Sequence, residues 1–141
     1  MKINITLLSG ILFFQIFNSS IFCQKIVGKA NFISQGDFYN GKVVNGKREG
    51  FGIYKYFDGD VYEGEWKNDR KNGKGKFISE NDNIHYVGSF LNDKYHGYGI
   101  LKSKNDSKYE GEWRHGKMHG PGAYLYKNGD RYQGDFKNNK L

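Results

Sequence analysis

The sequence predicts an all-β fold, a single elongated sheet of stacked β-hairpins preceded by an N-terminal signal segment. Three observations carry the prediction. A tyrosine-led segment recurs at a nearly constant spacing, a Gly-x-Gly pair lies eleven residues after the opening tyrosine of each full copy, and clusters of Asn, Asp and Gly separate the copies. Composition agrees: the 141 residues include 20 Gly, 11 Tyr and 11 Phe but one Pro, and 37% are apolar. That mixture suits a thin sheet dressed with aromatics better than a deep aliphatic core.

The first element, residues 1–23, has the layout of a secretory signal peptide. Lys2 precedes a run rich in Ile, Leu and Phe over residues 3–17, and polar Asn18, Ser19 and Ser20 follow. The run is interrupted by Asn4, Thr6 and Gln15 and falls short of the ~20 apolar residues that span a bilayer. Cleavage near Cys23 is expected, which exports the chain to a periplasmic, cell-surface or secreted location. It also removes the one cysteine, so disulfides and thiolate sites are not expected. Residues 24–38 form a lead-in outside the repeat, with room for a strand.

Residues 39–141 hold the repeats, at 39–61, 62–85, 86–108, 109–131 and a half copy at 132–141. Tyr39, Tyr62, Tyr86, Tyr109 and Tyr132 open them, spaced by 23, 24, 23 and 23 residues. The openings read Tyr62-Glu-Gly64-Glu-Trp66, Tyr86-Val-Gly88-Ser-Phe90 and Tyr109-Glu-Gly111-Glu-Trp113. The Gly-x-Gly pairs are Gly50/Gly52, Gly73/Gly75, Gly97/Gly99 and Gly120/Gly122. Turn clusters at 58–60, 81–83, 105–107 and 128–130 suit tight hairpin turns that need positive φ.

Strand alternation assigns the faces. Tyr62, Gly64 and Trp66 share one face, with Glu63 and Glu65 on a polar opposite face. The same logic puts Gly73, Gly75 and Phe77 together, and groups Tyr86, Gly88 and Phe90, Gly97 and Gly99, Tyr109, Gly111 and Trp113, and Gly120, Gly122 and Tyr124. Rings can lie flat on a neighbouring strand only where no Cβ intervenes, so this aromatic and glycine face is the expected core. Each buried ring removes about 150–250 Å² from water.

The composite pattern, best seen in Tyr109-Glu-Gly111-Glu-Trp113-Arg-His-Gly116-Lys117-Met-His119-Gly120-Pro-Gly122, closely resembles the MORN motif. The resemblance covers residues 39–141 and implies a twisted antiparallel sheet of stacked hairpins in a non-enzymatic scaffold or membrane-associated module. The first copy departs from the motif, with Val43 where the others have Trp or Phe. The basic position of the motif is retained throughout as Lys47, Arg70, Lys94, Lys117 and Lys140.

No catalytic, cofactor or metal site is expected. Glu63/Glu65 and Glu110/Glu112 share a solvated face without an enclosed cleft, and His85, His96, His115 and His119 fit turn roles. Formal net charge is +7, yet no nucleic-acid motif accompanies it, so nucleic acid is not the expected partner. The leading expectation is protein–protein scaffolding, through an unknown partner or self-association, on an aromatic-lined face and an open edge near Leu141. The alternative is anionic lipid headgroups at the basic row, whose charges recur about every 10 Å, close to the Debye length.

Overall fold

The computed structural model describes residues 27–34 and 36–141, so the signal segment and its cleavage site lie outside the described residues. Ten strands follow in chain order: β1 (Val27–Ser34), β2 (Asp37–Val44), β3 (Lys47–Lys55), β4 (Val61–Lys67) and β5 (Arg70–Ser79), then β6 (Ile84–Leu91), β7 (Lys94–Lys102), β8 (Lys108–Arg114), β9 (Lys117–Leu125) and β10 (Arg131–Phe136). Each pairs antiparallel with the next, giving one open ten-stranded meander. The described residues contain no helix. The lead-in supplies β1, paired to β2 from Val27↔Val44 to Ser34↔Asp37.

Two kinds of turn alternate. At one end of the sheet sit two-residue turns, Asn45-Gly46, Asn68-Asp69, Asn92-Asp93, His115-Gly116 and Asn138-Asn139, with positive φ at every one of these residues. This is the geometry of type I′ hairpins, whose twist matches the flanking strands. The Asn, Asp and Gly clusters expected to make tight turns lie at the opposite end and make wider ones. These close through bonds such as Tyr56 N–H to Asp60 O (2.9 Å) and Ser103 N–H to Ser107 O (3.0 Å). Their positive φ is confined to single residues, such as Gly59 and Asp106.

Across the middle runs a glycine spine. Gly41 faces Gly52, which faces Gly64, and the row continues through Gly75, Gly88, Gly99, Gly111, Gly122 and Gly134. Each repeat tyrosine lies along its own strand over this spine. The Tyr62 hydroxyl donates to Glu65 O at 2.9 Å, Tyr86 to Ser89 O at 2.9 Å and Tyr109 to Glu112 O at 2.8 Å. A methyl placed on Gly75 would meet the Tyr62 hydroxyl at 2.6 Å, and one on Gly122 would meet that of Tyr109 at 2.6 Å. Both distances are well inside van der Waals contact, so only glycine fits under the ring.

The other glycine of each Gly-x-Gly pair behaves differently, which corrects the face assignment for Gly73, Gly97 and Gly120. The register shifts within each hairpin, as between Gly64 and Trp66. The bulged strand passes through Gly50, Gly73, Gly97 and Gly120 at φ of 71°, 81°, 61° and 61°. A left-handed residue turns its Cα–H over, so a methyl here would aim away from the rings: at Glu65 from Gly73, at Ser89 from Gly97 and at Glu112 from Gly120.

Candidate functional site

The aromatic face is filled by its own side chains. Tyr39, Tyr62, Tyr86 and Tyr109 are 0% exposed, and Trp66, Phe90, Trp113 and Phe136 are buried beside them. Trp66 stands edge-on between Tyr39 (5.7 Å) and Tyr62 (5.0 Å), and its indole N–H donates to Gly52 O at 3.3 Å. Phe90 and Trp113 repeat this T-shaped contact along the row, the arrangement that ring quadrupoles favour. The ring seated on the glycines is thus the tyrosine, while Trp or Phe wedges between successive tyrosines. Phe77 and Tyr124 are half-buried against the row.

Burial holds the phenols neutral. It pushes Tyr56, Tyr95 and Tyr109 up to about 12, and raises Tyr62 and Tyr86 further.

A second row covers these rings, one residue after each basic position: Arg48, Lys71, Tyr95 and Met118. The Arg48 guanidinium lies 4.1 Å from the centre of Trp66 and 4.8 Å from that of Tyr54. The Lys71 ammonium lies 4.6 Å over Phe77, and burial lowers its pKa. Tyr95 stacks on Tyr86 at 3.8 Å.

The next hairpin's tight turn clasps the residue in this row. Arg48 N–H donates to Asp69 Oδ1 (2.8 Å) and Asp69 N–H returns to Arg48 O (3.2 Å). Lys71 with Asp93 and Met118 with Asn139 repeat the exchange. Gly116 keeps only the backbone half, to Tyr95 O (2.8 Å). The clasp residue is therefore acidic where the covering residue is cationic and neutral where it is neutral.

The basic row lies at the tight-turn end. Lys47, Arg70, Lys94, Lys117 and Lys140 are all exposed. Lys67, Arg114 and Lys137 stand across their turns from Arg70, Lys117 and Lys140. Asp69 and Asp93 are acidic residues at this end, held in the clasps, and Glu49 is a third, accepting Asn68 N–H at 2.9 Å.

The back face departs from the expected polar surface. Phe51 is 60% exposed and Val87 and Tyr98 are 53% exposed, with half-buried Ile53 and Ile100 in the same rows. A shallow hollow of about 540 Å³ runs from Phe51 past Lys74, Lys76 and Val87 to Tyr98 and Ile100. A second, of about 500 Å³, continues from Tyr98 to Glu112 and Gln133. The clue was present in the sequence, because the middle residue of each Gly-x-Gly, here Phe51, Lys74, Tyr98 and Pro121, must point away from the rings.

Glu63 and Glu65 are both exposed on this face. Glu65 accepts Lys74 N–H at 2.9 Å, and Glu110 accepts bonds from Lys108 and Tyr98 that hold its carboxyl below the usual range. The His96 and His115 rings lie 5.5 Å apart. Among the described residues no group of three or more His, Cys, Asp or Glu could hold a metal ion.

Comparison with known families gives one result. The family model for the MORN repeat matches five consecutive stretches, residues 39–61, 62–84, 86–108, 109–131 and 132–141. No curated protein matches the chain.

Proposed function

We propose, from the premise that this chain belongs to the MORN-repeat family, that it is a binding protein whose working surface is the back face of the sheet. Repeats of this family are associated with protein and membrane-lipid interaction, and the family is generally non-enzymatic. One observation carries the choice of face: the rings of the aromatic side bury one another, whereas Phe51, Val87 and Tyr98 stand exposed on the other side. Exposed aromatic side chains over a shallow hollow are the usual anchors of a protein interface.

The test uses the chain from residue 24 onward with Phe51→Asp and Tyr98→Asp, introduced singly and together. Binding to a crosslinked partner in the exported fraction should be lost in the double variant and retained when Arg70 and Lys94 are reversed to Glu. The opposite pattern would overturn the reading.

Anionic lipid is the second reading, favoured by the exposure of all five basic residues along one end. Each cation near an anionic surface contributes about 1 kcal/mol, lost as salt is raised. Sedimentation with phosphatidylserine vesicles at low and high salt tests it. Export is part of the proposal, and the mass of the secreted chain should correspond to a start near Gln24.

A further inference from the structure

We propose that the back face is a homodimer interface, in which two copies pack face to face about a two-fold axis running along the strands between β6 and β7. The inference rests on the reading of the back face as the binding surface and names its occupant.

The argument is the order of side chains across that face. Val87 on β6 faces Ile100 on β7, and beyond the register shift Ser89 faces His96, with Tyr98 in the bulge beside it. This apolar centre is flanked on the β5 side by a basic pair, Lys74 and Lys76, which neighbour Ser89 and Val87. On the β8 side an acidic pair, Glu112 and Glu110, neighbours Tyr98 and Ile100. A patch with two cations on one flank and two anions on the other is complementary to itself when turned over about its centre.

The rotation lays Val87 on the partner copy's Ile100 and brings Ser89 beside the bulge that carries its Tyr98. Lys76 then meets the partner copy's Glu110, and Lys74 meets its Glu112, each contact occurring twice. No like charges oppose one another across the apolar centre or its two charged flanks. By contrast, an axis along β4 would set Glu63 and Glu65 against their own copies.

The ion pairs among the described residues are Arg48–Asp69 and Lys108–Glu110, so neither Lys74 nor Glu112 is engaged in one. Within one chain these two lie three strand spacings apart, roughly 14 Å. That exceeds the Debye length of about 8 Å at physiological salt, so the two charges act little on each other within a chain. The intrachain effect of Lys74→Glu on Glu65, which accepts Lys74 N–H, is read separately from the monomer's own stability. The aligned packing of sheets about 10 Å apart accommodates this pairing.

Sedimentation equilibrium of the chain from residue 24 onward, with the variants Lys74→Glu, Glu112→Lys and the double exchange, tests the proposal. Both positions are exposed, and circular dichroism checks that the sheet is retained. The wild type should dimerise. Each single variant should weaken the dimer about tenfold or more, because two like-charge contacts replace two ion pairs, and the double exchange should restore it.

A wild type that remains monomeric up to millimolar concentration overturns the dimer. So do single variants that dimerise unchanged, or a double exchange that fails to recover. None of these results touches the broader reading, which falls only if the Phe51→Asp and Tyr98→Asp double variant captures its partner as the wild type does.

Discussion

The Tyr62 ring crosses Gly75 of the neighbouring strand at a distance that leaves no room for a methyl group. Its hydroxyl would lie 2.6 Å from a Cβ there, and the same ring covers Gly64 on its own strand before donating to Glu65 O. Two fixed positions of the repeat, the glycine after the tyrosine and the second glycine of Gly-x-Gly, thus answer to one ring. Because the pattern recurs in every full copy, the core of this single-layer sheet is a row of equivalent pieces.

Gly75→Val should therefore destabilise by overpacking, about 1–3 kcal/mol, with the loss of the Tyr62 hydrogen bond added. Gly73→Ala should also destabilise, but for a conformational reason: at φ 81° an alanine costs about 1–2 kcal/mol. Urea denaturation distinguishes the causes, since Tyr62→Ala should relieve the Gly75 variant and leave the Gly73 variant unrelieved.

Trp66→Ala should cost about 3–5 kcal/mol, the range for an emptied aromatic site. The opposite face is not uniformly tolerant. Glu65→Ala removes the acceptor of Lys74 N–H and should cost about 1 kcal/mol, whereas Glu63→Ala should lie within about 0.5 kcal/mol of wild type. Equal losses at Glu63 and Trp66 in chemical denaturation would refute the assignment of faces.

How far the fold was legible depends on which residues repeat. Period, strand order and the aromatic row followed from Tyr, Gly and Trp or Phe recurring together, because a side chain that recurs at one spacing meets the same neighbour each time. Alternation failed at Gly73, Gly97 and Gly120, since a bulge changes the local hand of the backbone without changing the spacing. It also gave no warning that the two-residue turns are Asn68-Asp69 and Asn92-Asp93 rather than the clusters between copies, because Asn and Asp reach positive φ wherever a type I′ hairpin demands it. The back face was hidden for another reason: Phe51, Lys74, Tyr98 and Pro121 share a position but no chemistry, so no motif marks them.

Arg48 and Asp69 offer a test internal to the repeats. Arg48 Nε lies 3.1 Å from Asp69 Oδ1 while its guanidinium covers Trp66. Between the fourth copy and the half copy, Met118 N–H donates to Asn139 Oδ1 and Asn139 N–H returns to Met118 O in the same way. Arg48→Met alone should cost about 1 kcal/mol, mostly lost cation–π and ion-pair energy in a partly exposed site. Arg48→Met combined with Asp69→Asn copies the neutral pair and should recover to within about 0.5 kcal/mol of wild type. A double variant no better than the single one in thermal or urea denaturation would show that the two positions are not coupled.

Alkaline pH should unfold the sheet cooperatively. Burial is the first cause of the raised pKa values of Tyr56, Tyr62, Tyr86, Tyr95 and Tyr109. A tyrosine in the unfolded chain titrates near 10. Between that value and the folded one the unfolded chain has released protons that the folded sheet still holds, so stability falls as pH rises. It is fully present below about pH 10. The five groups shift in the same direction, so their losses accumulate along the row as pH rises.

Lys71 acts in the opposite sense, because its lowered pKa means that the folded state gives up its proton first, but it is one group against five. Urea midpoints should hold steady up to about pH 9.5 and drop steeply above about pH 10.5. Tyrosinate absorbance should rise together with loss of the β-sheet dichroism. Ionisation of all the tyrosines near pH 10 with the sheet intact would contradict the burial of these phenols.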